Sequence, residues 1–491
     1  MSILLVLFVI CALFLKPILF PRVGKLPFIP FHISLYDALR GVGKTGFYDN
    51  RLRALTEKYG AVWYWSAGRW VVILTKPDYL TRVFRNEQIV SKAGFIKKVP
   101  WGVFARLMGE NIIDAHDDQW KLFSSIMKPG IQRPFTIDSI VQKSQKLAQL
   151  FLDNQGQASP NKGVTIDPFV HRWAVSVYGE YFLDVELGCL ENAHVRLEQL
   201  IGELNDSVIP LAPILTEFPI LERLWWLFPA RRRAFALVDE IDSLIVAHTE
   251  HHLTKPPSPE NANKMIHYLQ RARSEGTISE WHYRSNLNMM FIAGNENMLF
   301  AVTSAMWELA KNPTIQDDLR KEVLNSLPSD YNAKDVDALP LLAAIAYETL
   351  RLYPPLSQFI NRLALDDMPL DDEHVIPKGT WVGWSAYGVQ TDPNVWGPRA
   401  KDFDPSRWGL TIKEVHYSFR LHQSRGNYIT FNGYTRRCLG SGFALMQMKV
   451  VLCELVKQLY WTKDPSYELT TTVRALLGPS NCKLVFGKVK L

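Results

Sequence analysis

The segment Phe431-Asn-Gly-Tyr-Thr-Arg-Arg-Cys-Leu-Gly440 constrains this chain most, because it runs directly into an apolar helix expected from about Gly440 to Tyr460. A cysteine just ahead of a helix start faces unpaired backbone N–H groups and the positive end of the helix dipole, and both favour thiolate. The neighbouring glycines let the backbone approach a flat ligand closely. Cys438 taken alone also fits a buried structural cysteine, since a free cysteine behaves as a small hydrophobe. The residues around it therefore have to decide.

The other four cysteines are Cys11, Cys189, Cys453 and Cys482. They are too few, and too irregularly spaced, for a disulfide framework or a zinc site, which fits a reducing, cytosol-facing environment. At 491 residues the chain has length for three domains. No Gly/Ser-rich or charged linker divides it and no fixed-period repeat occurs, so one large unit is allowed. The net charge of +6 is mild and diffuse. It suits an anionic membrane surface or an acidic protein partner and excludes a nucleic-acid binder, for which no motif is present.

Residues Ile3 to Phe20 are apolar apart from Lys16 and Pro17. They lack a basic leader and a small-residue cleavage site, so an anchor at residues 1–20 is favoured over a removed signal peptide. About 20 residues cross a bilayer, and Lys16 can snorkel to its surface. A buried amphipathic element is the alternative. Pro21, Pro27 and Pro30 suggest a stiff, non-helical connector over 21–45, followed by a single catalytic body over 46–491.

Within that body, 46–60 reads as a helix, and Ala61–Ser66 with Trp70–Thr75 as a β-hairpin around Gly68. Helical periodicity dominates to about 325, broken by Pro210–Pro219 and by the polar loop Lys255–Asn263. Further helices are expected over about 279–311, and over 340–353, where Tyr353-Pro354 stops the helix. The fold class is mainly α with a minor β portion.

With these motifs in order, the chain resembles the cytochromes P450. Their haem loop, F-x-x-G-x-R-x-C-x-G, is matched by Phe431, Arg436, Cys438 and Gly440, with Tyr434 in place of the second glycine. Glu348-Thr-Leu-Arg351 resembles the family's E-x-x-R, and Arg407 in Phe403-Asp-Pro-Ser-Arg-Trp408 the third member of its buried triad. Ala293-Gly-Asn-Glu-Asn297 resembles the oxygen-activating helix; Glu296 matches its acid, and Asn297 replaces its threonine. A mid-helix glycine there suggests a local opening over a ligand. Trp120 resembles the tryptophan of a W-x-x-x-R haem contact whose arginine is Ser124 here, so that either Lys121 or Lys128 substitutes or that propionate contact is missing. Arg362 falls where the family has a second propionate contact; a solvated arginine is the alternative.

The resemblance implies a cytochrome P450 fold and haem b, with Cys438 as axial ligand of the iron. Phe431, Arg436, Arg362 and Trp120 would hold the cofactor, Glu296 and Asn297 would serve the chemistry, and Glu348, Arg351 and Arg407 would serve folding. In this family a thiolate ligand favours O–O cleavage. Electrons would come from NADPH through a flavoprotein, NADPH–cytochrome P450 reductase, whose acidic surface would meet Arg436, Arg437, Lys449, Lys121 and Lys128. The anchor resembles those of endoplasmic-reticulum enzymes with a cytosolic catalytic body.

Within the family the resemblance extends to the fungal dityrosine-forming enzymes, through Gly294–Asn297, Arg351–Ser357 with Ile360–Arg362, and Asp392–Gly397. It implies monooxygenation, by hydroxylation or desaturation, of a small aromatic, amino-acid-derived metabolite in fungal secondary metabolism. Oxidative coupling of such aromatics, dityrosine-like or an isocyanide-type dimerisation, is a second expectation. A haem-binding protein without turnover is a third. Parts of 90–115, 289–300 and 356–361 would line the pocket, where Trp101, Phe104, Phe291 and Phe359 offer aromatic surface or core.

Overall fold

The computed structural model describes residues 21, 24–157, 162–208, 211–252, 261–472 and 476–489. Five helices position the site: α1 (Asp117–Ile131), α2 (Asp167–Tyr178), α3 (Glu280–Lys311), α4 (Pro340–Leu352) and α5 (Ser441–Gln458). At 1.5 Å per residue α3 is about 48 Å long and runs through the molecule. It is capped by Ser279, whose Oγ accepts from the His282 N–H at 3.1 Å. The largest apolar core lies among these helices.

The minor β portion is chiefly a five-stranded sheet of β1 (Ala61–Ser66), β2 (Arg69–Leu74), β3 (Val90–Lys92), β4 (Gln358–Ala364) and β5 (Trp381–Ser385). Its spatial order is β1-β2-β5-β4-β3. The β1–β2 hairpin expected from sequence is present. It turns on Ala67 and Gly68, both with positive φ, as a two-residue hairpin turn requires. Alternate residues feed two separate cores: Ala61, Trp63, Val72 and Leu74 pack on one face, and Val62, Tyr64, Val71 and Ile73 on the other.

Two expectations change. The stretch expected as a non-helical connector carries a helix, Phe31–Leu39, because Pro30 stands at its N-cap, where a proline costs the helix no hydrogen bond. Leu26 and Ile29 are buried and Asp37 pairs with Arg51 at 2.7 Å, so packed structure begins before residue 46. The expected anchor over 1–20 lies outside the described residues. Among the described residues no helix is long and apolar enough to cross a membrane.

The second change concerns Gly294. Helix α3 is continuous through it, without the local opening expected there. A Cβ at position 294 would stand 2.1 Å from the Tyr178 ring, so the glycine exists for the close approach of α2. Gly294→Ala is therefore expected to cost about 1–3 kcal/mol in chemical denaturation, the usual penalty of overpacking. Tyr178→Ala in the same chain should make the glycine substitution nearly neutral.

Candidate active site

Cys438 lies two residues before Gly440, the N-cap of α5. Its backbone N–H donates to the Phe431 carbonyl at 2.8 Å, closing the loop on itself. The turn inside that loop places Asn432 and Tyr434 at φ 59° and 56°. This explains why glycine is usual at the Tyr434 position: the left-handed backbone costs a side-chain-bearing residue about 1–2 kcal/mol. Gly433, at φ −146°, is extended and does not take over the role. The Arg85 guanidinium, 4.9 Å from the Tyr434 ring centre, offsets part of the strain.

The Cys438 side chain is open to solvent, yet burial raises its thiol pKa, so it sits on the wall of an internal space. The Gly440 N–H and the charge of Arg437 act in the opposite direction and are outweighed. The helix start alone thus does not deliver the thiolate expected from sequence. Deprotonation has to accompany metal binding, as is usual for a coordinating thiol.

A buried group of cations stands near this loop. Arg362 is fully buried on β4, and its Nη1 donates to the Val90 carbonyl at 3.0 Å. Its Nε and Nη2 have no partner. Directly across the β3–β4 ladder is Lys92, also buried, over the rings of Phe359 and Trp384. Burial, then the charges of Arg362 and Arg436, pushes the Lys92 ammonium well below its usual pKa. Burial lowers Arg362 to about 10, against the charge of Glu87. Like charges directly opposite destabilise an antiparallel pair. The arrangement is reasonable only around an anion.

Arg436 is more occupied than expected. It pairs with Glu87 at 2.6 Å, donates to the carbonyls of Ile112, Ile113 and Ala115, and lies 4.8 Å from the Trp120 ring centre. Trp120, on α1, thus supports the arginine that the haem loop supplies. Neither candidate substitute for Ser124 lies in this group: Lys121 and Lys128 are exposed, and Lys121 pairs with Asp118. Lys92, which no motif flagged, is the buried cation in its place. Orphaned guanidinium atoms, a like-charge pair and a thiol on an internal wall fit haem, a flat group with two carboxylates and a thiolate-binding iron. Cys438 would hold the iron; Arg362 and Lys92, with Arg436 behind them, would hold the propionates.

On α3, Asn297 Nδ2 donates to the Ala293 carbonyl at 2.9 Å, one turn back. Ala293, Glu296 and Asn297 are partly accessible, while Phe291, Asn295 and Met298 are buried. The motif therefore turns its acid and Asn297 to one face and anchors with the other. Phe291 belongs to the core, edge-on to Tyr178. Of the other aromatic candidates, Trp101 donates to the Pro219 carbonyl at 2.8 Å and Phe104 pairs with Phe95.

Glu348, Arg351 and Arg407 come together as expected. Arg351 binds Glu348 through two hydrogen bonds of 2.8 Å, with neither side chain exposed, and Arg407 Nε reaches it at 3.4 Å. Trp408 Nε1 adds a 3.0 Å bond that the motif does not announce. Gln390 was also not legible. Its Nε2 donates to the carbonyls of Leu350 and Arg351, and its Oε1 accepts from the N–H groups of Ile429 and Thr430. It ties the end of α4 to the chain entering the cysteine loop. The expected basic docking face loses two members: Lys449 is buried and paired with Asp337, and Arg436 is buried as described.

The family model for cytochrome P450 matches residues 27–486. The chain is 41% identical over 457 residues to cytochrome P450 monooxygenase xanG of Aspergillus fumigatus, covering 91% of this chain and 84% of that protein. It is 31% identical to cytochrome P450-DIT2 of Saccharomyces cerevisiae, covering 98% of this chain and 96% of the relative. Human cytochrome P450 4F12 is 24% identical, covering 82% and 78%.

Two substitutions test the site. Glu348→Gln leaves Arg351 buried without its counter-charge and should cost about 3–5 kcal/mol in chemical denaturation, with loss of bound haem. Cys438→Ser should keep the fold by circular dichroism but abolish the carbon monoxide difference band of thiolate-ligated haem. Retention of that band would overturn the ligand assignment.

Proposed function

This chain belongs to the cytochrome P450 family, an oxidoreductase using haem, a redox partner and a small-molecule substrate, and from that premise we propose that it oxidises a small aromatic, amino-acid-derived metabolite. Hydroxylation or desaturation is the first reading, in line with the relative named a monooxygenase. A place in fungal secondary metabolism is part of the same proposal. Bound haem supplies oxidation of an organic substrate by dioxygen. The protein's part is to hold the cofactor through Cys438 and the cations around Arg362, and to govern protons along α3.

The observation that separates the two chemistries is the Glu296–Asn297 face of α3. Glu296 is a partly accessible acid on this face. Asn297 stands where a hydroxyl is usual, and its amide N–H is committed to the Ala293 carbonyl. An amide holds position but passes protons poorly compared with a hydroxyl. Inserting oxygen into a C–H bond requires controlled proton delivery, whereas coupling two phenols requires only removal of a hydrogen atom from each and pairing of the radicals. Asn297 therefore favours coupling as the specific second reading.

Electrons are proposed to come from NADPH through a flavoprotein reductase, docking on a surface that includes the exposed Arg437 and Lys128. The apolar run Ile3–Phe20 supports an endoplasmic-reticulum membrane location with the body in the cytosol. Turnover of reconstituted enzyme under isotopically labelled dioxygen, with tyrosine-derived phenols, decides between the two chemistries. Label in the product is expected for hydroxylation and an unlabelled monomer for desaturation; a dimer without label rejects both. Asn297→Thr should raise the proportion of labelled product, and an unchanged proportion removes the role given to Asn297.

A further inference from the structure

A second group of cations lies further along β4 and has only one carboxylate facing it, Asp114, which it shares with Lys92. Lys98, at the end of the short helix Phe95–Lys98, donates through Nζ to the Ile360 carbonyl of β4. Its ammonium is 5.6 Å from the Phe95 ring centre and 5.1 Å from that of Trp381. Arg69 covers the same Trp381 at 5.1 Å and donates from Nη2 to the Lys98 carbonyl at 2.6 Å. Lys44 lines a small cleft with Ser357, Gln358 and Tyr387. Among the described residues none of Lys44, Arg69 or Lys98 forms an ion pair. Burial, the charge of Asp114 acting against it, and then Lys44 and Arg69 bring the Lys98 ammonium down to about 7. Burial lowers Lys44 to about 8.

Asp114 is the carboxylate facing Lys98, and it does not neutralise the group. Burial raises its own pKa, and Lys92 shares its charge. The position of the group is equally specific. Ile360, which holds Lys98, is two residues from Arg362 on β4, about 7 Å along the strand. Between them, where the β4–β5 register shifts, is Asn361, buried with both side-chain polar atoms unpartnered. Buried polar atoms without partners are rare in folded proteins and call for a ligand or ordered water. The same strand thus passes from the cation at Arg362, through an unsatisfied buried amide, to the carbonyl that holds a second cation over aromatic rings.

We propose that Lys98, flanked by Arg69 and Lys44, anchors a carboxylate of the substrate, so that the ligand taken is an aromatic acid rather than a neutral aromatic. This deepens the reading of an amino-acid-derived substrate and rests on it. An ammonium over the faces of Phe95 and Trp381 suits one small monoanion whose apolar body lies against those rings.

Spectral titration of the haem-loaded full chain tests this with matched pairs: N-acetyl-L-tyrosine against N-acetyl-L-tyrosinamide, and laurate against its methyl ester. The acid of a pair is expected to bind at least about tenfold tighter than its neutral partner, as for a buried charge-assisted contact. Lys98→Met should remove that difference while leaving the neutral partner's affinity and the carbon monoxide band unchanged. Lys98→Arg should retain part of it. Equal affinity of both acids and their neutral partners, or no carboxylate binding at all, overturns the anchor. So does a Lys98→Met enzyme that loses haem faster than wild type, which would assign Lys98 to the cofactor. Laurate discrimination without binding of either tyrosine probe keeps the anchor and rejects the aromatic reading. Tight but equal binding of the two tyrosine probes does the reverse.

Discussion

Glu348 is a carboxylate with no exposed surface, and it accepts from Arg351 Nε and Nη2, Arg407 Nε, Trp408 Nε1 and the Asp404 backbone N–H. Such a charge survives inside a protein only when every lone pair is used, because its desolvation is otherwise unrepaid. Arg351 in turn donates to the carbonyls of Gln390, Ala400 and Asp402, so the segment after β5 is fixed to α4 by one guanidinium. Gln390 passes the constraint on to Ile429 and Thr430, immediately before Phe431. The cysteine loop is therefore held from behind by a hydrogen-bonded chain that begins at a single carboxylate. Its own strained turn at Tyr434 can persist because both of its ends are fixed.

What was legible in the sequence is what depends on local spacing. Cys438 before a helix, Glu348 three residues from Arg351, the hairpin about Gly68 and the long helix over 280–311 each announce themselves within a short window. What was not legible depends on partners distant in sequence. Gly294 looked like an opening in a helix because Tyr178, more than a hundred residues earlier, is invisible to a local reading. Lys92 carries no local signal at all, because only the ladder sets it opposite Arg362. Lys449 looked like surface because a lysine usually is, and it is buried only because Asp337 reaches it at 2.6 Å. The helix Phe31–Leu39 was obscured by prolines that, at a helix start, are permissive rather than disruptive.

The fate of the cysteine carries a related lesson about competing terms. A helix N-terminus contributes a few tenths to about 1 kcal/mol toward an anion, and burial of a charge opposes it by more. Here burial wins and raises the thiol pKa, so a metal bound there would have to displace the thiol proton. The same competition acts on Lys92 and Arg362, whose charges burial and mutual repulsion disfavour. Each of these groups is unfavourable in the isolated polypeptide and would become favourable with an iron porphyrin bearing two carboxylates. Binding to the folded chain alone then stabilises it by mass action.

That logic separates the two cation groups along β4. Around Arg362 the positive charge exceeds what Glu87 and Asp114 can offset, and the propionates of one cofactor would account for the excess. Around Lys98 the same carboxylate, Asp114, has already been shared, and no second cofactor is implied by the family. Lys98 is half-buried with its pKa lowered to about 7, so an anion arriving from outside would hold it charged, and a substrate carboxylate is the anion proposed for it.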